Sequence, residues 1–398
     1  MMLVWIRCLL MGLLIIMPYV DSLSQGKRKS KKEYFYDKKT IEKYKYTSAH
    51  HVQDMDLPRI ETKKAKNIIL LIGDGMGSSQ IYAGMVANKG KLYLEYFPSV
   101  GFIKTHSAND LITDSAAGAT AFATGNKTNN GMIGVTPDNQ PMVTILEMAE
   151  EKGLSTGLVA TSTITHATPA CFISHEFSRH YYEQIAADFV RNGIDVFIGG
   201  GRSHFSNRLD RLNLLDILKE NNYTLIDTLI DLDVIHGDKI AGLLWYNSPP
   251  SIMDGRGDML PLASTKAINV LSKNSNGFFL MVEGSQIDWG NHQNNILYQT
   301  EEMLDFDKVI GRILEFAATD RETLVIVTSD HETGGLAISG GNIKKGIVHA
   351  DYTTNGHTAD LIPVFAYGPS AELFQGIFDN TEIFHKMIKA FDWDGSEQ

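Results

Sequence analysis

The sequence predicts an α/β fold: a doubly wound, mostly parallel central sheet flanked by helices, in a single domain with a small excursion. Two observations carry this. Six strand-like apolar runs are continuous rather than alternating, as strands buried on both faces of a parallel sheet require. Amphipathic segments of helical period separate them, the rhythm of βα units. A third observation concerns domain number. The 398 residues could hold two domains, but no repeat and no second composition regime follows residue 60.

The chain opens MMLVWIRCLLMGLLIIMPYVDSLSQ, in which Arg7 precedes an apolar run from Cys8 to Met17, then Pro18 and small residues. Residues 1–24 read as a secretory signal peptide cleaved after Ser22 or Ser24, with an uncleaved anchor as the alternative. The run falls short of the about 20 residues a spanning helix needs. Residues 25–60 read as a basic tether. Within 25–46 there are nine Lys/Arg against three Asp/Glu, and residues 1–24 are neutral, so 47–398 carry −17 of the overall −11. So acidic a body argues against nucleic acid as a partner, and the basic stretch reads as solvated chain. No apolar tail follows DWDGSEQ, so no lipid-anchor signal is expected. The expectation is an exported protein, periplasmic or secreted, with no stable membrane insertion. Cys8 and Cys171 are the two cysteines. With Cys8 removed no intrachain disulfide can form, and Cys171, in PACFIS, reads as an inert buried thiol.

The main body spans 61–395. Its first strand is NIILLIG (67–73). LITDSAAGATAFATG (111–125) follows, almost all small side chains from Asp114 on, and predicts a helix starting near Ser115. Two readings of Ser115 stand side by side: a capped helix packed closely on a sheet, or a nucleophile at a helix mouth whose free N–H groups face an anion. VTILEMAEEKG (143–153) predicts a helix, TGLVAT (156–161) and DVFIGG (195–200) strands, and 202–262 an excursion from the sheet. GFFLMVEG (277–284), the helical EEMLDFDKVIGRILEFAATD (301–320), TLVIVTSD (323–330) and IPVFAYG (362–368) complete the pattern.

In open α/β sheets ligands bind beyond the carboxyl ends of the strands. Asp74 follows the first run, His166 and Thr168 the second, Glu283 ends the fourth, and Asp330-His331 the fifth. Asp288 and His292 come soon after Glu283, four apart and so on one side of a helical turn, and His357 precedes the last run. Taken singly, each reads as a cap or a hydrogen-bonded structural residue. Together they put several anions at one edge, which is costly unless cations sit among them. Mixed His and carboxylate donors suit zinc, and an oxygen-rich set of Asp, Glu and Thr suits magnesium. Paired metals serve in-line phosphoryl displacement. Gly199-Gly200-Gly201 reads as a turn rather than a phosphate cradle, and His175, His180 and His349 as structural or surface residues.

Several ordered motifs across residues 64–392 resemble the alkaline phosphatases, in their compact bacterial form: IGDGMG (72–77), TDSAAGATAFATG (113–125), THATPA (165–170) with Arg179, EGSQIDWGNH (283–292), TSDHETGG (328–335) and GHT (356–358). The resemblance implies a metal-dependent phosphomonoesterase with two zinc ions and one magnesium ion, acting on small phosphate monoesters through a phosphoserine on Ser115. It implies one zinc on Asp74, Asp330 and His331 beside Ser115, and a second on Asp288, His292 and His357. Magnesium would fall to Asp74, Thr168 and Glu283, and two phosphate oxygens to the planar fork of Arg179. His166 and Trp289 stand where one form of the family carries Asp and Lys. They would lie near the phosphate, weakening the magnesium site and removing a cation. A homodimer is implied by the resemblance alone. A sulfatase would need a C/S-x-P-x-R setting that Ser115-Ala-Ala-Gly does not supply, and a pure phosphate binder has no need of the hydroxyl.

Overall fold

The computed structural model describes residues 38–234 and 236–394; the expected signal peptide and the first part of the expected tether lie outside the described residues. Strand β1 (Asn67–Gly73) is buried at every position. Ile68, Leu70 and Ile72 face one core with Ala116, Ala119 and Phe122. Ile69 and Leu71 face the other with Leu304, Val309 and Ile310. Two-sided burial is the physical reason the run is continuously apolar.

Further strands follow in chain order: β2 (Ser99–Lys104), β3 (Ser155–Thr163), β4 (Val196–Gly200), β5 (Thr224–Ile226), β6 (Ile240–Trp245), β7 (Phe278–Gly284) and β8 (Thr323–Thr328). Then come the short β9 (Glu332–Thr333), the hairpin β10 (Leu336–Asn342) and β11 (Ile347–Tyr352), the short β12 (His357–Thr358), β13 (Ile362–Tyr367) and β14 (Gly376–Asp379). Ten of them form one sheet in the order β14-β2-β13-β8-β1-β7-β3-β4-β6-β5. From β8 to β5 every pairing is parallel. β13 runs antiparallel to both β8 and β2, and β14 parallel to β2.

The doubly wound, mostly parallel sheet is therefore as expected, with additions. The expected excursion, 202–262, leaves the sheet only in part: it holds short helices and returns β5 and β6 to the sheet's edge. β2, SVGFIK, alternates buried and exposed side chains, and β14 is short, so neither shows as a continuous apolar run.

From Lys38 onward the segment expected as a solvated tether is docked. A helix spans Lys38–Lys43, and the chain beyond it lies on the long helix Ile296–Asp320. There the Glu301 carboxylate accepts from Tyr44 Oη at 2.9 Å and from the Thr47 and Ser48 N–H groups at 2.7 and 2.8 Å. Asp307 meets His50 Nε2 at 3.0 Å. Both carboxylates are buried, so the segment supplies hydrogen bonds that water cannot.

A second device pins the same helix. Arg256, fully buried, pairs with Glu302 and, at 3.0 Å, with Asp305. Among the described residues no helix is long and apolar enough to cross a membrane. Arg256→Met strands two buried carboxylates and is expected to destabilise the fold by about 3–5 kcal/mol. Removing the exposed Lys219–Asp216 pair should cost about 0–1 kcal/mol. Urea unfolding of the two variants checks the contrast.

Candidate active site

Strand direction brings the site together. β1, β3, β7 and β8 are parallel, so Asp74, His166 with Thr168, Glu283 with Asp288, and Asp330 with His331 emerge at one edge. β13 runs the other way, so the residue that reaches that edge precedes it, and that residue is His357. β2 runs with the parallel set, and its end leads to Ser115 at the same edge.

Ser115 opens the helix Ser115–Thr124, all ten residues of which are buried. The Asp114 side chain caps it by accepting from Ala117 N, and Gly125 closes it in the left-handed conformation. The small residues have a geometric reason: a Cβ on Gly118 would lie 3.0 Å from Asp330 Cβ. A side chain there would crowd the turn after β8, which would have to give by a few tenths of an ångström. Ser115 Oγ then lies 3.3 Å from His331 Nε2.

The acids and imidazoles form three sets of converging donor atoms: Asp74, Asp330 and His331; Asp288, His331 and His357; and Asp74, His166 and Glu283. Within each set the donor atoms lie no more than 4.8 Å apart. His292 joins the second, its Nε2 3.1 Å from Asp288 and 3.3 Å from His357 Nε2. The His357 and His292 Nδ1 atoms face the backbone carbonyls of Thr113 and Asn355, at 2.8 and 2.7 Å. A carbonyl only accepts, so each Nδ1 carries the proton and the two facing Nε2 atoms are lone pairs in the neutral rings. Two lone pairs so close are satisfied by a cation.

The carboxylates make the same demand. Asp74 (both oxygens), Glu283 Oε1, Asp330 Oδ2 and Thr168 Oγ1 are buried without a hydrogen-bond partner. Their other oxygens are held: Asp330 Oδ1 by the Gly75 and His331 N–H groups, and Glu283 Oε2 by the Ser285 hydroxyl at 2.6 Å. Burial first, then the charges of Asp330, Asp288 and Glu283, push the Asp74 carboxyl well above the usual range. Burial likewise lifts Glu283 to about 7 and Asp330 to about 6. Burial also lifts Asp288, but the close contact with His292, then His331 and His357 nearby, outweighs it and holds that carboxyl low. Burial, then His357, lowers His331 well below its ordinary value, and burial with Arg179 lowers His166 to about 3, so both rings are neutral. Orphaned oxygens and neutral imidazoles in tight sets fit divalent cations.

Arg179 is placed from the other side. Its NH1 pairs with Asp114 Oδ2 at 2.9 Å, its NH2 lies 3.4 Å from His166 Nε2, and its N–H donates to Gly131 O. Trp289 stands edge-to-face with His166, ring centroids 6.1 Å apart. All the residues singled out in the sequence thus meet at this edge. Sequence reasoning missed Glu332, which accepts from Gln80 Nε2, from the Gly335 and Leu336 N–H groups and from Thr358, clamping β9 to β12. It also missed Thr333, which donates to Asp288 at 2.6 Å. Both sit inside TSDHETGG, but no strand-end rule points to them.

The residues set aside lie elsewhere in role. His175 bridges Gly134 O and Glu147, His180 is exposed, and the Gly201 N–H turns onto Trp245 O and Asn247 O. Cys171 is free and buried, its thiol pushed up to about 12 by burial.

The model of the family described as alkaline phosphatase matches residues 65–350 and 345–393. Alkaline phosphatase 3 of Bacillus subtilis (strain 168) is 35% identical over 83% of this chain and 89% of its own length. The Escherichia coli (strain K12) alkaline phosphatase is 32% identical over 83% of this chain and 87% of its own. Among solved structures, the alkaline phosphatase of the Antarctic bacterium TAB5 superposes with a TM-score of 0.80 at 45% identity, covering 83% of this chain and all of that one. A variant of the TAB5 enzyme with a histidine changed to aspartate has magnesium bound in its M3 site. The chain belongs to the alkaline phosphatase family. It is an enzyme, an alkaline phosphatase, that hydrolyses phosphoric monoesters and binds metal ions.

Stripping divalent ions with EDTA should lower both activity and unfolding temperature, and restored ions should recover both. At ion concentrations about 100 times Kd the stabilisation is about 2.7 kcal/mol. A thermal scan with and without EDTA measures it; no shift would mean that these donor sets hold no cation.

Proposed function

We propose that the enzyme works by two in-line displacements at Ser115, with two zinc ions and one magnesium ion. The observation that carries this reading is the position of Ser115 Oγ, at a helix start, beside His331 of the acidic sets and next in the chain to Asp114, which holds Arg179. Asp74, Asp330 and His331 would hold one zinc, and Asp288, His292 and His357 the other. Asp74, Thr168 and Glu283 would hold magnesium with His166 alongside. The bound ions supply positive charge that stabilises an alkoxide and a leaving oxygen and lowers the pKa of water.

The chain's own residues do the rest. Arg179, fixed by Asp114, offers its remaining donors to two phosphoryl oxygens. The first-turn N–H groups of the Ser115 helix add to the field on the same anion. Ser115 Oγ bonds to phosphorus as the bond to the alcohol oxygen breaks, giving phosphoserine and free alcohol. Water then attacks phosphorus from the vacated side, and inorganic phosphate leaves as Oγ takes back a proton. Buried walls around Asp74, Glu283 and Asp330 keep bulk water off the charges that matter.

His166 and Trp289 tune this site. An imidazole beside Asp74 and Glu283 contributes no negative charge, which weakens magnesium relative to a carboxylate; the magnesium-bound His-to-Asp variant of the TAB5 enzyme supports that direction. Trp289 presents a neutral ring where a cation would retain phosphate. Small phosphomonoesters are the substrates, and export and assembly as a homodimer belong to the same proposal. The apolar run Cys8–Met17 supports export, and the family resemblance alone supports the dimer.

Ser115→Ala should cut p-nitrophenyl phosphate turnover by about 10³-fold or more. Acid-quenched wild type should carry phosphate on Ser115 by mass spectrometry; full turnover by the variant would end the nucleophile assignment. Trp289→Lys should tighten inhibition by phosphate by about tenfold, the scale of one added partly screened charge. Unchanged or weaker product inhibition in steady-state kinetics would count against the tuning role.

A further inference from the structure

His292 and His357 are each fixed through Nδ1 by a backbone carbonyl. His331 is fixed by a side chain instead: its Nδ1 lies 3.2 Å from Thr333 Oγ1. The same hydroxyl donates to Asp288 Oδ1 at 2.6 Å. A hydroxyl has one proton, and a carboxylate oxygen only accepts. The proton is therefore committed to Asp288, and a lone pair of Oγ1 faces His331. Nδ1 of His331 must then carry hydrogen, leaving Nε2 as the lone pair that faces Ser115, Asp74 and Asp330 at 3.3, 3.5 and 3.3 Å.

The surroundings crowd this hydroxyl. Thr333 is fully buried, and its backbone pairs with His357 in the β9–β12 ladder. Gly75, in the left-handed region at φ 69°, closes over it: a Cβ there would come within 2.8 Å of Oγ1 and 2.9 Å of Asp288 Cα. One hydroxyl thus touches Asp288 and His331, while its backbone pairs with the strand that carries His357.

We propose that Thr333 is a positioning residue that couples the two zinc sites, orienting Asp288 for one and setting the tautomer of His331 for the other. This rests on the reading that those sets hold zinc. It follows that loss of the hydroxyl weakens both sites together rather than one. Thr333→Val keeps the β-branched shape and deletes donor and acceptor at once, leaving Asp288 Oδ1 and His331 Nδ1 short of a partner in a buried place. Thr333→Ser keeps the hydroxyl.

The test is zinc titration of the full chain against a chelating dye, for wild type, T333V and T333S, with urea unfolding of each metal-free protein. The expected result is two zinc ions per wild-type chain, both weakened about 10–100-fold in T333V, the range for losing a group that orients a metal ligand, and near-wild-type binding in T333S. Wild-type affinity in T333V overturns the proposal. Equal loss in T333S and T333V, with equal loss of metal-free stability, also overturns it, because packing would then be the cause. A wild-type chain that takes up no zinc overturns the zinc reading itself, an outcome distinct from the other two.

Discussion

Buried negative charge is the constraint around which this protein is organised. Asp74, Glu283, Asp288 and Asp330 lie within one small volume, and Asp74, Glu283 and Asp330 each keep at least one buried oxygen without a hydrogen-bond partner. Carboxylates so placed repel one another and have lost their water, and hydrogen bonds alone do not offset that cost. Multivalent cations do. The family's dependence on metal ions is thus an electrostatic requirement of this sheet edge as well as a catalytic convenience.

The fold meets that requirement through strand direction. Parallel strands deliver their following residues to one edge, and the single reversal at β13 adds a residue that precedes its strand. Helix packing supplies the remaining coordinate: Gly118 against Asp330 sets how deep Ser115 sits. The loop before Ser115 is tied in turn to His357 through the Thr113 carbonyl. Ser115, the converging acids and imidazoles, and the Arg179 anchor on Asp114 therefore share one network, and none is placed independently of the others.

Much of this was legible in the sequence because the signals are one-dimensional. Two-sided burial writes itself as NIILLIG, and ligands follow strand ends, so Asp74, Glu283, Asp330 and His331 could be named before any coordinates. The less legible features depend on partners far away in the chain. Glu301, Glu302, Asp305 and Asp307 look like the wet face of an amphipathic helix, yet each is buried against Arg256, His50 or the backbone after Tyr46. Strand β2 escaped because it alternates buried and exposed positions and β5 because it is a three-residue edge strand, whereas β6, IAGLLW, is a buried apolar run that lay inside the stretch expected as an excursion. Thr333 and Glu332 escaped for a different reason: a hydroxyl or carboxylate that orients a ligand has no spacing rule, only a geometry.

The segment that docks on the long helix changes where the enzyme begins as a physical object. The family match starts at residue 65, but Glu301 takes hydrogen bonds from Tyr44, Thr47 and Ser48, and Asp307, which the Tyr93 and Leu94 N–H groups also hold, meets His50. An expression boundary set at the first strand would strip the buried Glu301 of three donors and Asp307 of its imidazole partner. Whoever trims this protein for crystals or for the bench should cut ahead of Lys38.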